Sequence, residues 1–479
     1  MVRVLGGAMV EGLIYFSPIM VLMVALLVLM FGEHEEEEAY NCFRFSRIML
    51  ILSFGLSVIF YNKTTIIGLT DGNKFTLLFD CLLYGGGLIL LYPARKWFIS
   101  MNIPAYVFCG CLFLTILSGS LLISSDNLVL TAGCCATLLI SNYIMLRQGI
   151  NKKESDLGAK IYLATALIGM ILLVAAVVIF YEKSQSMMYA DLRTALEIGN
   201  SDIALFTAAA MVVVVFLLLL GLAPLHFCLT EILGWLGLPI FTYFLLVPLS
   251  AVWGGFIHLN VEVLTPILGR LRMFYMAVAL LSVGFGAIGA CCGQNIRKIF
   301  AYSTVFHSGI ILLTMRKFTL NSVNSGFIYL FVYLLAMYGI CVCLFGLKRK
   351  GEYLFMLSEL EGAAQKRPYI SAVMLVFMFS LLGVPPFCGF LGLFSSLNYL
   401  ALHHHFYQLL YLLSMMLVVG YAYLQIIRSM FFEEKRNLFD RTDGGIYAAI
   451  LLNVALMITI ALQPHYVAFG FRSMLEVLF

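Results

Sequence analysis

The sequence predicts an all-α polytopic membrane protein of about 14 transmembrane helices. Three observations carry this expectation. Of the 479 residues, 62% are hydrophobic and 11% are charged, whereas soluble domains run at about 45–50% apolar and about 25% charged. The apolar residues come in runs of the roughly 20 needed to cross a bilayer. The Lys and Arg between those runs divide unequally between alternate connections. A water-soluble globule and a disordered chain are both excluded by this composition. The net charge of +4, without a basic tract, gives no reason to expect nucleic acid as a partner.

In order, the expected spans fall near 10–32, 47–61, 75–93, 104–123, 127–146, 159–181, 203–223, 238–258, 273–292, 298–315, 323–347, 369–394, 404–428 and 445–463. The first is read as a span and not as a removable signal, because its apolar run has no small-residue cleavage site. No connection is long enough to fold alone, so the chain reads as one membrane domain over 1–479. Connections after odd-numbered spans hold about 18 Lys and Arg and those after even-numbered spans about 8, which places odd connections in the matrix or cytoplasm. The even-side cations are Lys63, Lys74, Lys183, Arg193, Arg270, Arg272, Arg316 and Lys317. The acidic run Glu33–Glu38, broken by His34, would lie on the odd side as a solvated loop.

The 12 cysteines sit inside apolar runs, as in Cys134–Cys135, Cys291–Cys292 and Cys341 with Cys343, with no zinc spacing and no disulfide framework. They read as small packing residues. Nor are there four-cysteine cluster spacings or a glycine-rich phosphate loop. Neither metal nor redox cofactor is expected on this chain; structural lipids are.

Ionisable residues inside spans are costly and so informative. Lys160 opens the sixth span in DLGAKIYLATALIGM; His226 and Glu231 follow Pro224; His307 lies in the tenth span and Asp80 in the third. From position alone, Lys160 also fits a residue snorkelling at the membrane edge, and His226 and His307 also fit hydrogen-bonded packing histidines. Prolines interrupt two spans, Pro224 at the end of the seventh and Pro385–Pro386 in the twelfth. A helix-interior proline frees a carbonyl, which lipid tolerates only where protein or an internal cavity satisfies it. Two breaks five spans apart suggest duplicated halves.

The same residues carry a resemblance. GLAPLHFCLTEILGWLGLP (221–239) resembles the Pro-Phe-His-x-Trp-x-Pro-Asp segment of the antiporter-like subunits of respiratory complex I. QNIRKIFAYSTVFHSGIILL (294–313) is similar to their Lys-Arg-x-x-Ala-Tyr-Ser-Ser-x-x-His-x-Gly segment, with Ala301, Tyr302, Ser303, His307 and Gly309 in register. SLLGVPPFCGFLGLF (380–394) resembles their Ser-Leu-x-Gly-x-Pro-Pro-x-x-Gly-Phe segment. The resemblance covers roughly 126–432; residues 1–125 fit mainly in span count.

The resemblance implies two inverted five-helix repeats, spans 4–8 (104–258) and 9–13 (273–428), after N-terminal helices (1–125) and before a C-terminal helix and tail (429–479). It implies proton translocation along buried charges and waters in the membrane arm of an NADH:ubiquinone oxidoreductase, with redox chemistry in other subunits. Partners would be the adjacent antiporter-like subunit, small hydrophobic subunits and lipids, and the location the mitochondrial inner membrane, or less readily a bacterial plasma membrane.

Carried over residue by residue, the family's span 5 glutamate falls on Cys135 and its lysines of spans 7, 8 and 12 fall on Leu219, Leu249 and Leu393. Its span 6 lysine is retained as Lys160. Lys160, His226, Glu231 and His307 are therefore the remaining proton-path candidates. Leucine neither holds a proton nor anchors a water, and apolar cavities stay dry. The expectation is a structural subunit whose own proton route is closed and which has no catalytic chemistry of its own. The alternatives are a cation/proton antiporter subunit or another secondary transporter; a membrane-embedded enzyme would need paired carboxylates or a nucleophile with its base, and the spans lack both.

Overall fold

The computed structural model describes residues 17–31, 39–59, 65–67, 70–100, 104–149, 152–199, 202–349, 351–433 and 439–479. The acidic run Glu33–Glu38 lies outside them. The described chain is nearly all helix, with two short hairpins, β1–β2 (Thr65–Ile67, Thr70–Gly72) and β3–β4 (Lys348–Arg349, Glu352–Tyr353). Eleven described helices are long and apolar enough to cross a membrane. The expected spans at 10–32, 203–223 and 369–394 fall instead on shorter apolar helices, the last two on broken pairs.

The chain divides into two compact units. The first takes the described parts of Met1–Leu220 with Leu246–Gly269 and Met474–Phe479. It holds α1 (Ser17–Phe31), α2 (Ala39–Ile59), α3 (Lys74–Ser100), α4 (Ala105–Ile123), α5 (Leu128–Leu146), α6 (Lys152–Ser184), α7 (Tyr189–Ile198) and α8 (Ile203–Leu219). The second takes Gly221–Leu245 and Arg270–Ser473. It holds α9 (His226–Trp235), α12 (Ile296–Met315), α13 (Leu320–Gly346), α14 (Ala363–Lys366), α15 (Pro368–Leu381), α16 (Gly389–Leu402), α17 (Phe406–Phe432), α18 (Gly444–Leu462) and α19 (Pro464–Leu475). Helix α10 (Leu238–Glu262) contributes its first residues to the second unit and the rest to the first, and α11 (Leu268–Cys291) begins at the other boundary. Residues 221–245 thus pack with the second unit, although the expected first repeat included them.

Within the second unit α13 is the central helix, touching α12, α15, α16 and α18. Helix α7 is absent from a hydropathy reading because it is short and two-faced. Tyr189, Leu192 and Leu196 are buried, while Asp191, Arg193 and Glu197 face outward. Between helices in lipid there is little hydrophobic drive, so packing and internal hydrogen bonds hold the bundle. Hydroxyls accordingly link neighbouring helices, as Thr115 and Ser141 do at 2.8 Å and Tyr333 does in donating to Thr304 at 2.9 Å.

Two stretches repeat each other feature by feature. Asn127 caps α5, accepting from the Val129 and Leu130 amides, and pairs as an isolated bridge with Met188. Asn295 caps α12, accepting from the Arg297 and Lys298 amides, and bridges Met356. The helix breaks match as well. Gly221 (φ 64°) precedes Pro224 and Gly383 (φ 66°) precedes Pro385–Pro386. Both glycines are required: a side chain would be strained at that φ. An added Cβ would also lie 2.7 Å from Leu229 in the first break and 2.5 Å from Leu393 in the second. At each break a serine satisfies a freed amide, Ser282 accepting from Ala223 at 2.9 Å and Ser380 from Gly389 at 3.0 Å.

Candidate functional site: a histidine–tyrosine cluster

On α12, Ser303, Thr304 and His307 share one face because they are three and four residues apart. On α13, Tyr329 and Tyr333 do the same. Where these faces meet, inside the second unit, His307 is 1% exposed. Its Nδ1 lies 2.8 Å from the Tyr329 hydroxyl and its Nε2 3.0 Å from that of Tyr423 on α17. Tyr423 continues to the Ser303 hydroxyl. The Tyr333 ring lies against the imidazole, 4.9 Å between centroids, and its hydroxyl donates to Thr304 at 2.9 Å. A small cavity of about 10 Å³, on the order of one water by this measure, opens beside His307, lined also by Tyr329, Tyr333, Ser380, Leu381 and Gly389, and so reaches the second helix break. Imidazole and hydroxyls both donate and accept, so this chain of contacts is competent to hand a proton along by rotation. None of these links needs a net charge.

The other candidates do not join this cluster. His226, fully buried at the start of α9, packs against the rings of Phe285 at 5.5 Å and Tyr302 at 6.0 Å, and neither of its ring nitrogens makes a hydrogen bond of good geometry. Glu231, one turn further and half exposed, is ion-paired with Lys298, whose ammonium also lies 5.3 Å above the Trp235 ring. Pro224, Pro385 and Pro386 are exposed at the breaks.

In the first unit Lys160 is exposed on α6, while Cys135, where the resemblance would put a glutamate, is fully buried on α5. Leu219 is half-buried and Leu249 buried. Leu393, in the second unit, packs over Gly383 and fills the second break. The first unit keeps hydrogen-bonded hydroxyls near Cys135, with Thr131 linked to Tyr189 and, at 3.0 Å, to Ser125. Among the described residues no three His, Cys, Asp or Glu side chains gather as a metal would require.

The hydroxyl partners of His307 are what the sequence reading missed. Tyrosines inside apolar spans count as apolar by composition; the spacing of Tyr329 and Tyr333, one helical turn apart, was the available signal.

Fold, broken helices and histidine cluster define a class, a multi-pass membrane protein of the antiporter-like kind. Residues 125–420 match the family described as NADH:quinone oxidoreductase/Mrp antiporter, TM, and the chain belongs to that family. Within it, the chain is 23% identical over 414 residues to the NADH-quinone oxidoreductase subunit N of Rhodospirillum rubrum, covering 86% of this chain and 85% of that protein. It is 24% identical over 458 residues to subunit N 1 of Acidiphilium cryptum, covering 94% of each. In fold it is similar to a chain of respiratory complex I from Thermus thermophilus, with a TM-score of 0.80 at 19% identity, covering 94% of this chain and 98% of that one. It is also similar to a chain of the Mrp complex from Dietzia, with a TM-score of 0.85 at 13% identity over 98% and 97%.

Proposed function

We propose that this chain is the subunit 2 type (subunit N in bacteria) of the antiporter-like membrane-arm subunits of a proton-translocating NADH:ubiquinone oxidoreductase. Its own proton route is closed and its role is mainly to brace neighbouring subunits. The name subunit N shared by the curated relatives supports the complex. The observation that carries the closure is the set Cys135, Leu219, Leu249 and Leu393, uncharged where the family resemblance expects one carboxylate and three ammonium groups. An unaided charge crossing about 30 Å of hydrocarbon meets a barrier of several kcal/mol or more. Removing a lysine alone would strand its carboxylate partner; here both sides of the pair are gone, which suits a bundle kept for packing.

In this reading NADH oxidation and quinone reduction belong to other subunits, and this chain binds no cofactor, though structural lipids contact it. Its partners are the adjacent antiporter-like subunit on one side and small hydrophobic subunits on the other, in a mitochondrial inner membrane. The curated relatives quoted above are bacterial, so a bacterial plasma membrane is the alternative location. The proton-to-electron stoichiometry of the purified, reconstituted enzyme tests closure: a value reduced by this subunit's share supports it, and a full family-typical value sinks it. Co-purification tests the assembly, since a subunit of this kind emerges in a very large complex.

A second reading, a cation/proton antiporter subunit, draws on the likeness to the Dietzia Mrp chain. It requires the missing lysine and glutamate sites at least as strongly. Sodium- or proton-coupled transport by the isolated chain would favour it.

A further inference from the structure

Half of the cations that the sequence places on the even, outer side are two pairs, Arg270 with Arg272 and Arg316 with Lys317. On that side Lys183 pairs with Asp202 at 2.9 Å and Arg193 with Glu197 at 3.3 Å. In the second unit, Arg272 near the start of α11, Arg316 and Lys317 just past α12, and His405 just before α17 come together. Arg272 Nη2 lies 3.4 Å from His405 Nε2.

Arg316 is fully buried, and only its Nη1 is used, donating to the Leu313 carbonyl at 2.8 Å. Its Nε and Nη2 are buried without a partner. Among the described residues no carboxylate pairs with Arg272, Arg316, Lys317 or His405. The electrostatics agree. Burial first, then Arg272, lowers the affinity of Arg316 for its proton; burial, Arg272 and Arg316 do the same to Lys317. Burial and the neighbouring Arg316, Lys317, Arg272 and His403 push His405 down to about 4.

Removing a guanidinium from water without a counter-charge is strongly unfavourable, so such a group calls for an anion. Its setting indicates which anion. The cluster lies at the ends of three helices that are each long and apolar enough to cross a membrane, where lipid headgroups would sit. Next to Arg272 and His405 in sequence stand the exposed apolar side chains of Met273, Phe274, Leu402, Phe406, Tyr407 and Leu410. Arginine forks match phosphate oxygens, and apolar side chains accept acyl chains.

We propose that Arg272, Arg316 and Lys317 bind the phosphate headgroup of a membrane phospholipid whose acyl chains lie along α11 and α17. This rests on the chain's being a membrane bundle and holds whether or not a proton route exists.

The test uses the intact purified assembly, with bound phospholipid counted by mass analysis. The Arg272→Gln/Lys317→Gln double variant, which leaves buried Arg316 in place, should lose one tightly bound phospholipid per complex. Arg193→Gln, an equal kind of charge loss on the same side, should lose none. After detergent delipidation, phosphatidylglycerol micelles should restore the wild-type unfolding temperature but not that of the double variant, while inorganic phosphate restores neither. Equal phospholipid counts in double variant and wild type would overturn the proposal. Full restoration by inorganic phosphate would overturn the lipid as the source, and an acidic protein segment seated on the cluster in a map of the complex would overturn the site.

Discussion

His307 Nε2 and the Tyr423 hydroxyl, 116 positions apart in sequence, meet at 3.0 Å. Tyr329 holds the other ring nitrogen at 2.8 Å, so the imidazole is fixed on both sides and one tyrosine must donate while the other accepts. Buried in a membrane bundle, such a pair is as much a fastening as a relay.

If fastening is its main task, Tyr423→Phe leaves His307 Nε2 and Ser303 without their partner. An unsatisfied buried group costs about 1–3 kcal/mol, and hydrogen bonds between membrane helices average about 0.6 kcal/mol. The expected outcome is a lower unfolding temperature of the assembled enzyme, with turnover per assembled complex unchanged. A loss of proton pumping without loss of stability would assign the cluster to transport.

Lys160→Ala is expected to leave turnover and stoichiometry at wild-type values, because the side chain is exposed while Cys135, buried, offers it no carboxylate. Steady-state NADH oxidation with simultaneous proton counting measures both.

Gly383→Ala is expected to destabilise the second break by roughly 1–3 kcal/mol, since it combines a positive φ with an overlap on Leu393. Impaired assembly in a blue-native gel, or a lowered unfolding temperature, is the readout. Leu393→Ala alone should be milder in its backbone effect, and Leu393→Ala added to Gly383→Ala should recover part of the loss.

Glu231→Gln breaks an ion pair that is half exposed. Exposed pairs contribute about 0–1 kcal/mol, so a small stability change is expected and no change in proton yield.

His405 gives a pH signature. Its folded-state value of about 4 lies below the ordinary 6.5, so the unfolded chain binds the proton more readily. The contribution of a neutral His405 is complete above about 6.5 and is lost as pH falls from there toward 4. Delipidated wild type should therefore lose unfolding temperature over that window more steeply than His405→Gln, and bound phospholipid should flatten the difference by supplying negative charge beside the imidazole.

Helix positions were legible because runs of about 20 apolar residues leave a strong signal. Both breaks were legible too, since proline cannot be hidden in a helix. What made the breaks workable was not: the pairing of Gly221 with Leu229 and of Gly383 with Leu393 needs residues eight and ten positions apart to return to one place. Helix α7 was invisible for its brevity. The site divided in the same way. His307 stood out as a rare ionisable residue in a span, but its partners lie on two other helices and look apolar in a sum over a window. Glu231 looked like an intramembrane carboxylate until Lys298, sixty-seven residues later, proved to be its neighbour.

The Leu393–Gly383 contact carries a wider implication. In this chain the bend of the twelfth span is latched by a hydrocarbon side chain seated in the notch of a glycine, with serine closing the backbone. A latch of that make asks for no ion, no water and no counter-charge. The elbow is therefore held by packing and the serine alone, and a change of charge elsewhere on this span would leave its shape in place.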